Sequence, residues 1–172
     1  MDETIKLLVE KFDRYNFLTN MLPGAVLSMA LEHFVGYKLL VSNEWILSGV
    51  IVYFVGVVNN RFGSLVIEPI LRWRWIKFAP YKDFLKAEKL DNKIRDLSTE
   101  NNAYRSYIAV FSLSLLALLF KAQTSSWPLL KEYEEVIILC LLIVLFAFSY
   151  HKQTEYIKKR IKISIDSQSS SL

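Results

Sequence analysis

Val136-Ile137-Ile138-Leu139-Cys140-Leu141-Leu142-Ile143-Val144-Leu145-Phe146-Ala147-Phe148-Ser149-Tyr150 is the most apolar stretch of the chain and contains no charge. It reads as the centre of a membrane-crossing helix, since a ~30 Å hydrocarbon layer takes ~20 mostly apolar residues. Upstream, Ser126 is placed to cap that helix and Pro128 to occupy its first turn. Glu132, Glu134 and Glu135 follow, where the helix dipole favours negative charge. Downstream, Lys152, Lys158, Lys159, Arg160 and Lys162 mark the exit into water. The serine-rich end, Ser167 to Leu172, reads as disordered.

Three further apolar runs precede this one. Phe17 to Leu40 is long enough to cross, but it carries Pro23-Gly24 near its start and Glu32, His33 and Lys38 within it. Its helix either begins at Pro23 or bends there. A second span runs from Trp45 to about Val58 and continues as helix through Asn59, Asn60, Arg61 and Phe62 toward Pro69. The third, Tyr107 to Phe120, is short for a perpendicular crossing. The expected fold is therefore all-α, an integral membrane bundle of about four transmembrane helices with cytoplasmic amphipathic helices.

The chain has 172 residues, 53% hydrophobic and 14% aromatic. That length fills one compact unit and leaves no room for a separate catalytic domain. Five segments follow: an N-terminal amphipathic helix over 1–16, a first transmembrane hairpin over 17–70, a basic amphipathic segment over 71–105, a second hairpin over 106–151 and a basic tail over 152–172. In the first, Ile5, Leu8, Val9 and Phe12 share a helical face suited to a membrane surface. The acidic start, Met1-Asp2-Glu3, does not resemble a cleavable signal peptide. In the third, Trp73, Trp75, Phe78, Tyr81 and Phe84 interleave with Arg72, Arg74, Lys77, Lys82 and Lys86, as an interfacial anchor requires. Pro80 marks a break, after which Ala87, Leu90, Ile94 and Leu97 recur as one amphipathic face.

Charge sets the expected orientation. Lysine and arginine number three before the first span, ten from Arg61 to Arg105 and five after the last span, against two, Lys121 and Lys131, around the second opposite loop. Lys38 runs against the trend. Both termini and the 61–105 segment should be cytoplasmic, in a multi-pass protein of the cell inner membrane. A net charge of +4 is explained by these flanks, and no direct nucleic-acid binding is expected.

Gly24, Ser28, Glu32 and Gly36 recur at four-residue spacing, a stripe of small residues around a carboxylate. Ionised carboxylates near mid-membrane cost ~2.5–3.5 kcal/mol, so Glu32 should face protein or water or be protonated. Ser28, Glu32 and His33 are the candidates for a polar or pore-lining surface, with a packed residue near the outer interface as the plainer alternative. Gly49, Gly56 and Gly63 recur every seven residues and give a second close-packing seam, against the first span or another subunit. Arg61, Glu68 and Arg72 fall on neighbouring faces, and Glu68 to Arg72 has the favourable i, i+4 order for an interfacial ion pair.

Catalytic signatures fail in turn: there is no Gly-x-Ser-x-Gly, no P-loop and no paired-histidine metal motif, and His33 and His151 lie far apart. One cysteine, Cys140, excludes a disulfide framework or thiolate site within the chain. No enzyme activity, metal or cofactor is expected.

Four blocks carry a resemblance: Tyr15-Asn16 with Leu22-Pro23-Gly24; Arg61-Phe62-Gly63-Ser64-Leu65-Val66-Ile67-Glu68-Pro69; Phe78-Ala79-Pro80-Tyr81-Lys82-Asp83-Phe84; and Glu100-Asn101-Asn102-Ala103-Tyr104-Arg105. Across residues 12 to 120 the chain resembles small bacterial membrane proteins, some of them associated with anti-phage defence loci such as retrons. The resemblance implies a restrained, toxin-like effector that perturbs the inner membrane on infection and arrests growth; it carries over no site residues. The expected partners are the lipid bilayer, further copies of the chain as a homo-oligomer, and a cytoplasmic regulatory protein or complex. The competing expectation is a non-toxic membrane anchor or accessory subunit that recruits a cytoplasmic partner.

Overall fold

In the computed structural model, residues 14–41, 43–124 and 132–169 are described, and among them there is helix and no strand. The amphipathic helix expected over residues 3–14, and the helix start expected near Ser126, lie almost wholly outside the described residues. Among the described residues there are five helices: α1 (residues 14–35), α2 (Trp45–Arg74), α3 (Tyr81–Leu90), α4 (Asn92–Thr124) and α5 (Glu134–Ser169). Three of them, α2, α4 and the Glu134–Ile163 part of α5, are long and apolar enough to cross a membrane. The second and third are much longer than their apolar centres, because helix continues into the polar flanks.

The first segment differs from both alternatives read from the sequence. Helix neither starts nor breaks at Pro23: α1 is continuous and absorbs the proline with a π turn, Phe17–Met21, just before it. Widening the turn relieves the clash between a proline ring and the preceding turn's carbonyl. α2 uses the same device, with π turn Gly63–Ile67 directly ahead of Glu68-Pro69. A last π turn, Leu31–Val35, ends α1 at Gly36, whose φ of 85° closes the helix in the left-handed region. Gly36 is therefore a helix terminator and not a packing residue; open space surrounds the position of its missing Cβ.

Contacts fix the directions. Arg14 of α1 pairs with Asp96 and Glu100 at the start of α4, and the Val35 carbonyl accepts from Lys121 Nζ near its end at 2.8 Å. α1 thus runs parallel to α4 along nearly its whole length, ~33 Å at ~1.5 Å per residue. α2 runs antiparallel to both, and α5 runs alongside α2, with Phe54 stacked on Phe146 and Ser64 beside Lys152.

Polar and small residues lie inside and large apolar ones outside. The buried face of α4 is Thr99, Ala103, Ser106, Ala109, Val110 and Ser114, while Ile108, Phe111, Leu115 and Leu119 on the same helix are exposed. Lipid-facing surfaces have this distribution, because tails offer apolar side chains as good a home as a core does and small residues let helices approach. Trp45 and Trp73, at 90% and 85% exposure, bracket α2.

The amphipathic run after Pro80 is not one helix. Pro80 precedes α3 as expected, but the chain turns at Asp91, extended at φ −139°, and its carboxylate accepts from the Lys93 N–H at 2.9 Å to start α4. Leu90 and Leu97 fall on different helices, and Leu90 is 89% exposed. At the far end, Ser167 to Ser169 continue α5 as helix, where the sequence reads as disordered.

Candidate functional site: a polar junction at the basic end

A close approach of α1 to α2 sets up the site. A Cβ on Gly24 would collide with the Val52 carbonyl oxygen and lie 2.7 Å from the Gly56 nitrogen; one on Gly56 would collide with the Asn20 carbonyl. α1 and α2 therefore touch backbone to backbone, which only glycine allows. Gly63 packs differently: a Cβ there would sit 3.4 Å from Ala109 Cβ on α4, and one on Gly49 would meet nothing within 4 Å. The seven-residue glycine series is thus not one seam: its members face α1, α4 and open space, because they sit at different heights on α2 and a straight α-helix drifts ~20° per heptad.

One turn from the crossing, the side chains of α1 and α2 form an amide ladder. Asn20 donates to Asn16 Oδ1 at 3.0 Å, and Asn60 donates to Asn20 Oδ1 at 2.8 Å. Arg105 of α4 extends it, giving Nη2 to Asn60 Oδ1 at 2.9 Å and Nη1 to Glu68 Oε2 at 2.7 Å. Glu68, with its side chain 12% exposed, is the hub: Arg72 Nη1 lies 3.5 Å from Oε1, and Lys152 Nζ of α5 lies 3.7 Å from Oε2. One carboxylate thus holds cations from three helices. Short charge-assisted bonds in a poorly hydrated setting are the strong kind, and breaking one leaves the rest uncompensated.

Both prolines feed this junction. Pro23 lacks an N–H, so a carbonyl of the preceding turn loses its helical donor, and the Thr19 carbonyl accepts from Ser106 Oγ on α4 at 3.1 Å. Pro69 has the same effect in α2, where the Ser64 carbonyl accepts from Lys152 Nζ at 2.5 Å, with Ser64 Oγ at 2.8 Å from the same ammonium. Asn59, fully buried, donates to the Ser106 carbonyl at 3.0 Å. α1, α2 and α4 each carry a backbone or side-chain acceptor that another helix fills.

The residues singled out from the sequence separate into three places. Glu68 and Arg72 are in the junction; Arg61 lies beside it and forms no ion pair among the described residues. Ser28 is fully enclosed within the protomer, its hydroxyl without a hydrogen-bond partner among the described residues, so it faces no aqueous path. Glu32 and His33 are exposed on the outside of α1, one turn from the Val35 carbonyl that Lys121 caps, and the His33 ring meets Phe34 edge-on at 4.9 Å. Asn20, Asn60, Arg105 and Lys152 were missed. Their signal was available in part: Asn60, Arg105 and Lys152 are polar residues in helices otherwise apolar enough to span, and Asn20 lies in the apolar run that begins at Phe17.

Comparison of the chain with protein-family models, curated proteins and solved structures finds no match in any of the three.

Proposed function

We propose that the protein is an oligomeric inner-membrane effector that permeabilises the bilayer, arresting growth in anti-phage defence. In this reading α1 is a fourth crossing, and both termini and the junction face the cytoplasm. The observation that carries it is the outward exposure of Glu32 and His33 on a helix as long as the membrane is thick. Lying within a turn of the helix end, such a face is met by interfacial water or by another copy, since a charge carried deeper into the membrane would cost ~2.5–3.5 kcal/mol. Within one copy, α1 and α2 meet backbone to backbone, so the polar path is assigned to the space between copies. α5 supplies further surface for assembly, since almost none of its apolar stretch is buried within the protomer. The four blocks similar to retron-associated membrane proteins support the same class.

The test is controlled expression in a bacterial host, following membrane potential with a voltage-sensitive dye together with growth. Prompt depolarisation with growth arrest is expected, altered by Glu32→Gln and Glu32→Ala. Full membrane insertion with intact potential and normal growth would overturn the effector reading. It would favour a second one, a non-toxic anchor or accessory subunit. The observation behind that alternative is the segment from Trp73 to Leu90, whose aromatic and charged side chains are largely exposed; it requires a co-purifying cytoplasmic protein.

A further inference from the structure

Beside the junction, between α1, α2, α4 and α5, lies a cavity of about 430 Å³, within the ~300–1,000 Å³ typical of small-ligand sites. Arg61, Arg105, Glu68, Asn102, Tyr53 and Tyr156 are among its lining residues. Among the described residues Glu68 is the only carboxylate in that lining, and it is already engaged by Arg105, Lys152 and Arg72. Arg61, partly buried in the same wall, has no carboxylate in ion-pairing range among the described residues. Among the described residues the site therefore carries more positive charge than its own groups neutralise, and the Asn102 amide in its wall adds neutral donors. Its depth is equally specific: α2 leaves its apolar run at Val58, and Arg61 is the first charge after it.

We propose that this cavity binds a phosphate group, with Arg61 as its principal ligand and Arg105 as a second, shared with Glu68. A planar guanidinium left unpaired in a partly desolvated wall is matched by the paired oxygens of a phosphate. Basic pockets between transmembrane helices at headgroup depth hold anionic phospholipid headgroups in this way. A soluble phosphate would make the same contacts. The inference is independent of the effector reading, since an anchor protein could carry the same site.

The experiment uses the full chain purified in detergent and delipidated, its thermal midpoint followed during titration with phosphatidylglycerol, phosphatidylcholine or inorganic phosphate at constant ionic strength. Phosphatidylglycerol is expected to raise the midpoint saturably and phosphatidylcholine to do so far less. Arg61→Gln should weaken the apparent affinity about tenfold, the worth of one charged hydrogen bond. Arg61→Lys should restore part of it, and Lys38→Gln at the opposite end should respond as the parent does. A saturable response to inorganic phosphate that Arg61→Gln removes would assign the site to a soluble phosphate. Equal responses to both lipids, or a full response in Arg61→Gln, would overturn the proposal. Should Arg61→Gln fail to fold, phospholipid extracted from Arg61→Lys and the parent decides: phosphatidylglycerol enriched equally over bulk membrane, or in neither, counts against Arg61.

Discussion

The two ends of the helix bundle are held in different ways. At the basic end, Glu68 gathers Arg72, Arg105 and Lys152, the asparagines of α1 and α2 form a ladder, and two carbonyls released by prolines accept donors from other helices. At the opposite end, among the described residues, the Val35 carbonyl of α1 accepts from Lys121 of α4, and the α1–α2 connection is steadied by Ser48 paired with the Val41 backbone. Association in lipid gains nothing from the hydrophobic effect between helices. Packing and hydrogen bonds must supply it, and among the described residues the hydrogen bonds and ion pairs between helices are concentrated at one end. The lesson is a bundle fixed near its basic end and freer to splay at the other, where Glu32 and His33 lie.

The largest effect should come from the crossing that brings the two ends' helices together. Gly56→Val places side-chain atoms into the Asn20 backbone, which cannot yield without separating α1 from α2. A loss of more than about 4 kcal/mol is expected, read as aggregation or loss of the cooperative thermal transition; a folded variant of near-parental stability would break the crossing. Next, Glu68→Ala removes the hub and leaves three cations facing one another, for an expected cost of about 3–5 kcal/mol in detergent unfolding. Lys121→Ala tests the other end: a cost well below that at Glu68 is expected on removing its bond to the Val35 carbonyl, and an effect as large as that at Glu68 would erase the contrast. The smallest change belongs to Gly49, whose Cβ position is open. Gly49→Ala should be neutral or stabilise by up to about 1 kcal/mol through helix propensity.

Much of this architecture was legible because its signals are local. Apolar runs gave α2, α4 and α5, and four-residue spacing placed Glu68 near Arg72. What escaped was what other helices contribute. Arg105 meets Glu68 from 37 residues away and Lys152 meets Ser64 from 88 residues away, and periodicity reports only the face a residue shares with its own helix. Gly36 illustrates an ambiguity between two local rules: four-residue spacing with Gly24 suggests packing, while glycine before Tyr37-Lys38 at a helix end suggests a terminator, and the backbone chose the second. The prolines were noticed for bending or starting helices. Their greater consequence here, freeing carbonyls for Ser106 and Lys152, follows from the missing N–H but needs the partner helix to be seen. At Asp91, a short polar side chain that can cap a new helix outweighed an apolar repeat too short to enforce continuity.

The central claim is that one carboxylate ties the helices at the basic end. A double-mutant cycle on Glu68→Gln and Arg105→Gln, measured by reversible unfolding in detergent, tests it most directly. A coupling of about 1–3 kcal/mol, with the double variant far less destabilised than the sum of the singles, is expected for groups in direct contact within one network. Additivity within about 0.5 kcal/mol would contradict it.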